Sequence, residues 1–203
     1  MSVVIVDYDA GNLRSVESAF SYLQEPFRVT REPDDVRGAD RLVLPGVGDA
    51  RAAMGVLEER GLVSAIREFL ARGNPFLGIC LGSQIILDRS DESGASCLGI
   101  LEGTATAFDP GQGLKIPHMG WNTITPRGDH PLLRDLSRES SFYFVHSFFP
   151  NPRDPGDVLA WCDYGVSFAA VVGRGNLAAT QFHPEKSGEA GLRLLRNFLG
   201  WKP

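Results

Sequence analysis

Cysteine is scarce: three residues in a chain of 203, at 80, 97 and 162. Their odd number and wide spacing exclude a disulfide framework and a paired-cysteine zinc site, so free thiols are expected. Long hydrophobic runs are missing too. No stretch approaches the roughly 20 apolar residues that cross a bilayer. The opening MSVVIVDYDAGN lacks a basic n-region and breaks its apolar run at Asp7, so it reads as a first strand rather than a signal peptide. The expected compartment is the cytoplasm. Positive charge is not in excess: 20 basic residues stand against 25 acidic ones, for a net charge of -5. The basic residues are scattered, so neither nucleic acid nor an anionic membrane finds an electrostatic footprint. Small-molecule or protein partners are expected instead. G-x-x-x-x-G-K and H-E-x-x-H do not occur, and no metal or cofactor is expected.

A hydrophobic fraction of 43% and a charged fraction of 22% fit an ordinary globular protein. The length suits a single domain, 1–203. In the first half, short β-rich runs (SVVIV, FRVT, RLVLP, PFLGI) alternate with helix-like segments at 12–23, 50–61 and 62–73. Such alternation predicts parallel strands joined by crossover helices. After residue 96 the runs shorten and Gly and Pro become frequent, suggesting strands and hairpins, with FPNPRDPGD (149–157) as the richest turn region. A last amphipathic helix carries Leu192, Leu195, Phe198 and Leu199 on one face. The fold class is therefore α/β: an open, doubly wound, mostly parallel sheet flanked by helices, with a strand-rich second half. Ligands of such sheets bind outside the carboxyl ends of the strands. That draws attention to Pro45–Gly48, Cys80 and Phe182–Glu185.

Cys80 stands in Gly78-Ile79-Cys80-Leu81-Gly82, between a predicted strand and a helix. This is the thiol form of a nucleophile elbow, whose tight turn leaves no room for side chains at the flanking glycines. The free N–H groups and macrodipole of the following helix favour a thiolate nucleophile. The N–H of Leu81 can face a developing oxyanion. His183 ends a predicted strand and is held extended by Pro184. Glu185, two residues on, can share its side and orient it, as a Cys-His-acid triad requires. LPGVGDA (44–50) supplies a glycine turn at Val47 and Gly48 whose N–H groups suit an anion or oxyanion.

In this order and at these separations, PGVG, GICLGSQ and QFHPEKS resemble the class I glutamine amidotransferases over nearly the whole chain. KIPHMGWN (115–122), YFVHS (143–147) and VIVDYDAGNLRSV (4–16) narrow the likeness to the family's histidine-biosynthesis branch. The resemblance implies a flavodoxin-like fold and hydrolysis of glutamine to glutamate and ammonia through a γ-glutamyl thioester. Cys80, His183 and Glu185 would be catalytic, with Val47, Gly48 and Leu81 at the oxyanion and Gln84, Ser147 and Phe148 on the glutamine. It further implies a heterodimer with a cyclase subunit, HisF, which uses the ammonia to make imidazole glycerol phosphate and an aminoimidazole carboxamide ribotide. Asn12, Pro117, His118, Met119, Gly120, Trp121 and Asn122 would lie toward that partner. Two departures are visible: Ser83 where many relatives carry Met, and Phe148 where Tyr is common. The competing readings are a glutaminase serving another acceptor and a catalytically silent module of the same fold.

Overall fold

Val3–Val6 is buried on both faces, as a strand inside a sheet covered on two sides must be. The computed structural model describes residues 2–203. In chain order, its first half runs β1 (Val3–Val6), α1 (Leu13–Tyr22), β2 (Phe27–Thr30), α2 (Pro33–Gly38), β3 (Arg41–Gly46), α3 (Ala50–Glu59), α4 (Leu62–Ala71), β4 (Phe76–Cys80) and the short α5 (Leu81–Ile85). The second half is mostly strands: β5 (Arg89–Ser90), β6 (Ala95–Ser96), β7 (Gly103–Ala107), β8 (His118–Thr123), β9 (Thr125–Pro126), β10 (Ser141–His146), β11 (Phe148–Pro152), β12 (Val158–Asp163), β13 (Ser167–Arg174) and β14 (Leu177–Thr180). A final helix, α6 (Gly188–Gly200), closes the chain.

The main sheet has the order β2-β1-β3-β4-β14-β13-β12-β9. Its β2-β1-β3-β4-β14 part is parallel and the remainder antiparallel. Alternation along β1 sends Val4 and Val6 to one layer with α3 and α4, and Val3 and Ile5 to the other with α1 and α6. A second sheet, β11-β7-β5-β6, and the β8/β10 hairpin stand beside it. The expected doubly wound sheet with a strand-rich second half is the fold observed.

Three local expectations change. α2 lies between two runs read as strands: six residues starting on a proline, with Val36 its one buried side chain, are too short to show an apolar stripe. The region 149–157 is not all turn. Pro150 and Pro152 lie within β11, tolerated because β11 is an edge strand that pairs with β7 alone. On α6 the fully buried residues are Gly191, Leu194, Leu195 and Phe198, while Leu192 and Leu199 sit half out. The stripe is rotated because Gly191 faces the 183–187 turn, where a Cβ would fall 1.8 Å from the Pro184 carbonyl oxygen.

The two elbow glycines have steric reasons that the structure makes explicit. A Cβ on Gly82 would sit 2.0 Å from the Leu44 carbonyl oxygen, and one on Gly78 would sit 2.8 Å from the Gly82 carbonyl oxygen. Gly82→Ala is expected to destabilise the chain by about 1–3 kcal/mol through forced backbone shifts. Gly55→Ala, in α3 with nothing within 4 Å of its Cβ position, should be neutral or stabilising by up to about 1 kcal/mol. Denaturant midpoints of the two variants make the comparison.

Candidate active site

The β4–α5 junction places Cys80 at φ 54°, ψ -106°, a conformation that side chains rarely adopt. Strain of this kind at an elbow presents the side chain past the carboxyl edge of the sheet. Cys80 is 6% exposed. Gln181 Nε2 donates to Cys80 Sγ at 3.7 Å, and Ser83 Oγ donates to the Cys80 carbonyl at 2.7 Å.

His183 stands three residues past the end of β14, beyond Gln181 and Phe182, and its side chain and that of Glu185 are wholly buried. Nδ1 donates to Glu185 Oε1 at 2.7 Å, which keeps a proton on Nδ1, and Nε2 has no hydrogen-bond partner among the described residues. Glu185 reaches the ring through a 3₁₀ turn, Pro184–Lys186, rather than through the extended alternation expected for H-P-E. Burial opposes a charge on His183, but the Cys80 sulfur and the Glu185 carboxylate outweigh it and raise the pKa to about 9. Asn12, held left-handed at φ 61°, donates from Nδ2 to Glu185 Oε1 at 2.5 Å. Its side chain therefore joins the His183–Glu185 network, while the residue itself is only half-buried.

A cavity of about 370 Å³ opens onto Cys80, and Val47, Gly48, Leu81, Gln84, Ser147 and Phe148 all line it. Gln84 spends its amide hydrogens on the Phe148 carbonyl and on Gln181 Oε1, both at 2.9 Å. Its own Oε1 remains as an acceptor for the cavity. Two lining or supporting residues were given no role from the sequence. Gln181 precedes His183 by two residues, and the sequence QFH does place both on one side of an extended segment. Glu92 also lines the cavity, on the turn between β5 and β6, and burial raises its pKa.

The expected oxyanion donors are unequally prepared. Leu81 opens α5, where an N–H has no intrahelical acceptor. Val47 N–H, however, donates to the Ala10 carbonyl at 2.9 Å and is not free for a ligand. Gly48 follows at φ 99°.

Along β8 the side chains alternate. Met119 and Trp121 are 59% and 58% exposed, whereas His118 is 3% exposed. The His118 side chain thus points inward and is not part of an outer face, because the period of two puts it opposite its neighbours. Pro117 lines the cavity, and Gly120 and Asn122 are half-buried. His118 stacks on Tyr164 at 4.0 Å, and its Nδ1 lies 3.0 Å from His146 Nε2. His146 Nδ1 must donate to the Phe148 carbonyl at 2.8 Å, since a carbonyl only accepts. His118 Nδ1 is then the donor to His146.

The chain resembles known proteins over nearly its whole length. The model of the family "Glutamine amidotransferase class-I" matches residues 4–200. The imidazole glycerol phosphate synthase subunit HisH of Methylococcus capsulatus is 47% identical, over 100% of this chain and 97% of that protein. The subunit of the same name from Dehalococcoides mccartyi is 45% identical, over 97% of this chain and 95% of its own length. Among solved structures, that of PurLQS from Thermotoga maritima overlays with a TM-score of 0.75 at 19% identity, covering 98% of this chain and 97% of that one. That last likeness is one of fold.

Burial lowers the pKa of His118 to about 4 and of His146 to about 3, so both rings are neutral near pH 7. The unfolded chain protonates them at the ordinary value and the folded chain does not. Their contribution is fully present above about pH 6.5 and is lost as pH falls toward 4. Chemical denaturation between pH 7 and 4.5 should show this loss, and His118→Phe should show a shallower one.

Proposed function

The chain belongs to the class I glutamine amidotransferase family, and from that premise we propose that it is the glutaminase subunit of imidazole glycerol phosphate synthase. It hydrolyses glutamine to glutamate and ammonia as one domain, 1–203, and works as a heterodimer with HisF in the cytoplasm. The observation that carries this reading is a single cavity onto which a strained cysteine opens, backed by a buried His183–Glu185 pair, in a chain 47% identical to a HisH subunit.

The chemistry follows from the geometry. Cys80 Sγ attacks the side-chain amide carbon of glutamine, and the carbonyl oxygen takes up negative charge beside the Leu81 N–H. His183, carrying a proton between Glu185 and the sulfur, gives it to the departing nitrogen, which leaves as ammonia. The γ-glutamyl thioester on Cys80 is then cleaved by a water that His183 deprotonates, releasing glutamate and restoring the thiol. Glu185 holds the ring through Nδ1 and stabilises its charged form. Gln84 Oε1 and the Glu92 carboxylate offer acceptors to the substrate's ammonium group, with Ser147 and Phe148 closing the far wall.

The resting Val47 bond to Ala10 supports a gated enzyme. One oxyanion donor is withheld, and such a donor is worth on the order of 10²–10³ in rate. Ammonia goes to HisF for the making of imidazole glycerol phosphate and the carboxamide ribotide. Exposed Met119 and Trp121, with Asn122, Gly120 and Pro117 around them, provide an amphipathic face for that subunit. Docking there and turning of the 46–48 segment complete the hole.

Cys80→Ala should abolish ammonia release from glutamine while leaving circular dichroism and melting unchanged. Glutamine hydrolysis by the unaltered chain should rise at least about tenfold when HisF and its ribonucleotide substrate are added; an assay showing no response to the partner rejects the synthase reading. Glu92→Gln should raise the KM for glutamine about tenfold or more with a smaller change in kcat, because a charged hydrogen bond is removed from bound substrate.

A further inference from the structure

A buried hydroxyl without a partner stands beneath the oxyanion turn. Tyr8 is 2% exposed, and its Oη makes no hydrogen bond among the described residues. It lies against Gly46, where a Cβ would fall 1.9 Å from Oη and 3.3 Å from Leu81 Cβ. Gly46 ends β3 in register with Cys80. Burial, reinforced by Cys80, pushes the Tyr8 pKa upward, so the hydroxyl keeps its proton and is available as a donor. Buried hydroxyls are normally bonded, and this one lacks only an acceptor.

The Gly46–Val47 peptide can supply one. At present its N–H points to the 7–12 loop and donates to the Ala10 carbonyl at 2.9 Å. That loop is firmly held: Arg31 bridges Asp7 and Asp9, and Arg60 bonds Asp9 and the Asp7 carbonyl. In a trans peptide the N–H and C=O point opposite ways. When the N–H turns into the cavity, the Gly46 carbonyl turns toward the loop and faces Ala10, which offers another acceptor. Tyr8, on the same loop, carries the donor that this arrangement needs.

We propose that Tyr8 is a positioning residue for the oxyanion hole: its hydroxyl donates to the Gly46 carbonyl after the 46–47 peptide turns, replacing the Val47–Ala10 bond. The inference rests on the glutaminase reading, and within it on the turning of that peptide. The hydroxyl stands idle in the resting state and holds the turned state once formed.

The test is Tyr8→Phe in the full chain. With HisF and the ribonucleotide at saturation, kcat should fall by roughly fivefold to fiftyfold with the KM for glutamine unchanged. The melting temperature of the isolated variant should hold or rise, because a buried hydroxyl without a partner has been removed. Amide exchange read by NMR should be slower at Val47, since the turned state is then less populated. An unchanged kcat overturns the proposal, as does a fall in melting temperature that accompanies the kcat loss, which marks a packing role. If the unaltered chain releases no ammonia with its partner, the glutaminase reading itself fails. Val47 exchange still decides the role of Tyr8: equal rates in the two chains refute it.

Discussion

The arrangement at the carboxyl edge of the sheet depends on how closely α5 approaches β3. Gly82 lies over the Leu44 carbonyl with no room for a single additional carbon. Because the helix can start there, β4 ends in the strained, positive-φ bend at Cys80 and delivers the sulfur to Gln181 and the His183 pair. The parallel pairing of β4 with β14 brings those residues to the same edge, although a hundred positions separate them in the chain. Packing of Gly191 on Pro184 then secures the turn that carries Glu185. Local strain at Cys80 is thus sustained by close contacts of α5 and α6, in keeping with strain being tolerated where surroundings over-determine it.

A second dependency runs through the loop after β1. Its Ala10 carbonyl occupies Val47, its Asn12 amide engages Glu185, and its Tyr8 ring underlies Gly46. One short segment therefore touches both the proposed oxyanion turn and the His183–Glu185 pair. The neutral His118–His146 pair plays a comparable part on the other wall. It ties β8, the strand with the exposed Met119 and Trp121, to the Phe148 carbonyl that also anchors Gln84. Each connection uses a backbone carbonyl as an anchor, Ala10 for Val47 and Phe148 for His146 and Gln84.

What could be read from the sequence followed the physics of each feature. Cys80 between two glycines, and His183 before Pro184, carry their constraints in neighbouring residues, so the elbow and the strand end were legible. The alternating sheet edge was legible for the same reason: buried β1 and β3 have continuous apolar runs. Glu92 was not, since it reaches the cavity from a turn and no residue beside it signals the contact. The Ala10–Val47 bond was not legible either, because any residue type offers a carbonyl. The inward His118 was available in principle: in HMGWN the period of two puts Met119 and Trp121 on one side and His118 on the other. Asn12 required the third dimension, since 173 positions separate it from Glu185.

On the proposed mechanism, Cys80 attacks glutamine efficiently only when the 46–48 segment has turned to complete the oxyanion hole. Rapid-quench mass spectrometry of the peptide bearing Cys80, after mixing with glutamine, addresses this directly. A glutamyl adduct on Cys80 should form quickly with HisF and its ribonucleotide present, in step with ammonia release, and slowly without them. An adduct that forms equally fast in the unpartnered chain, or on another residue, would contradict this mechanism.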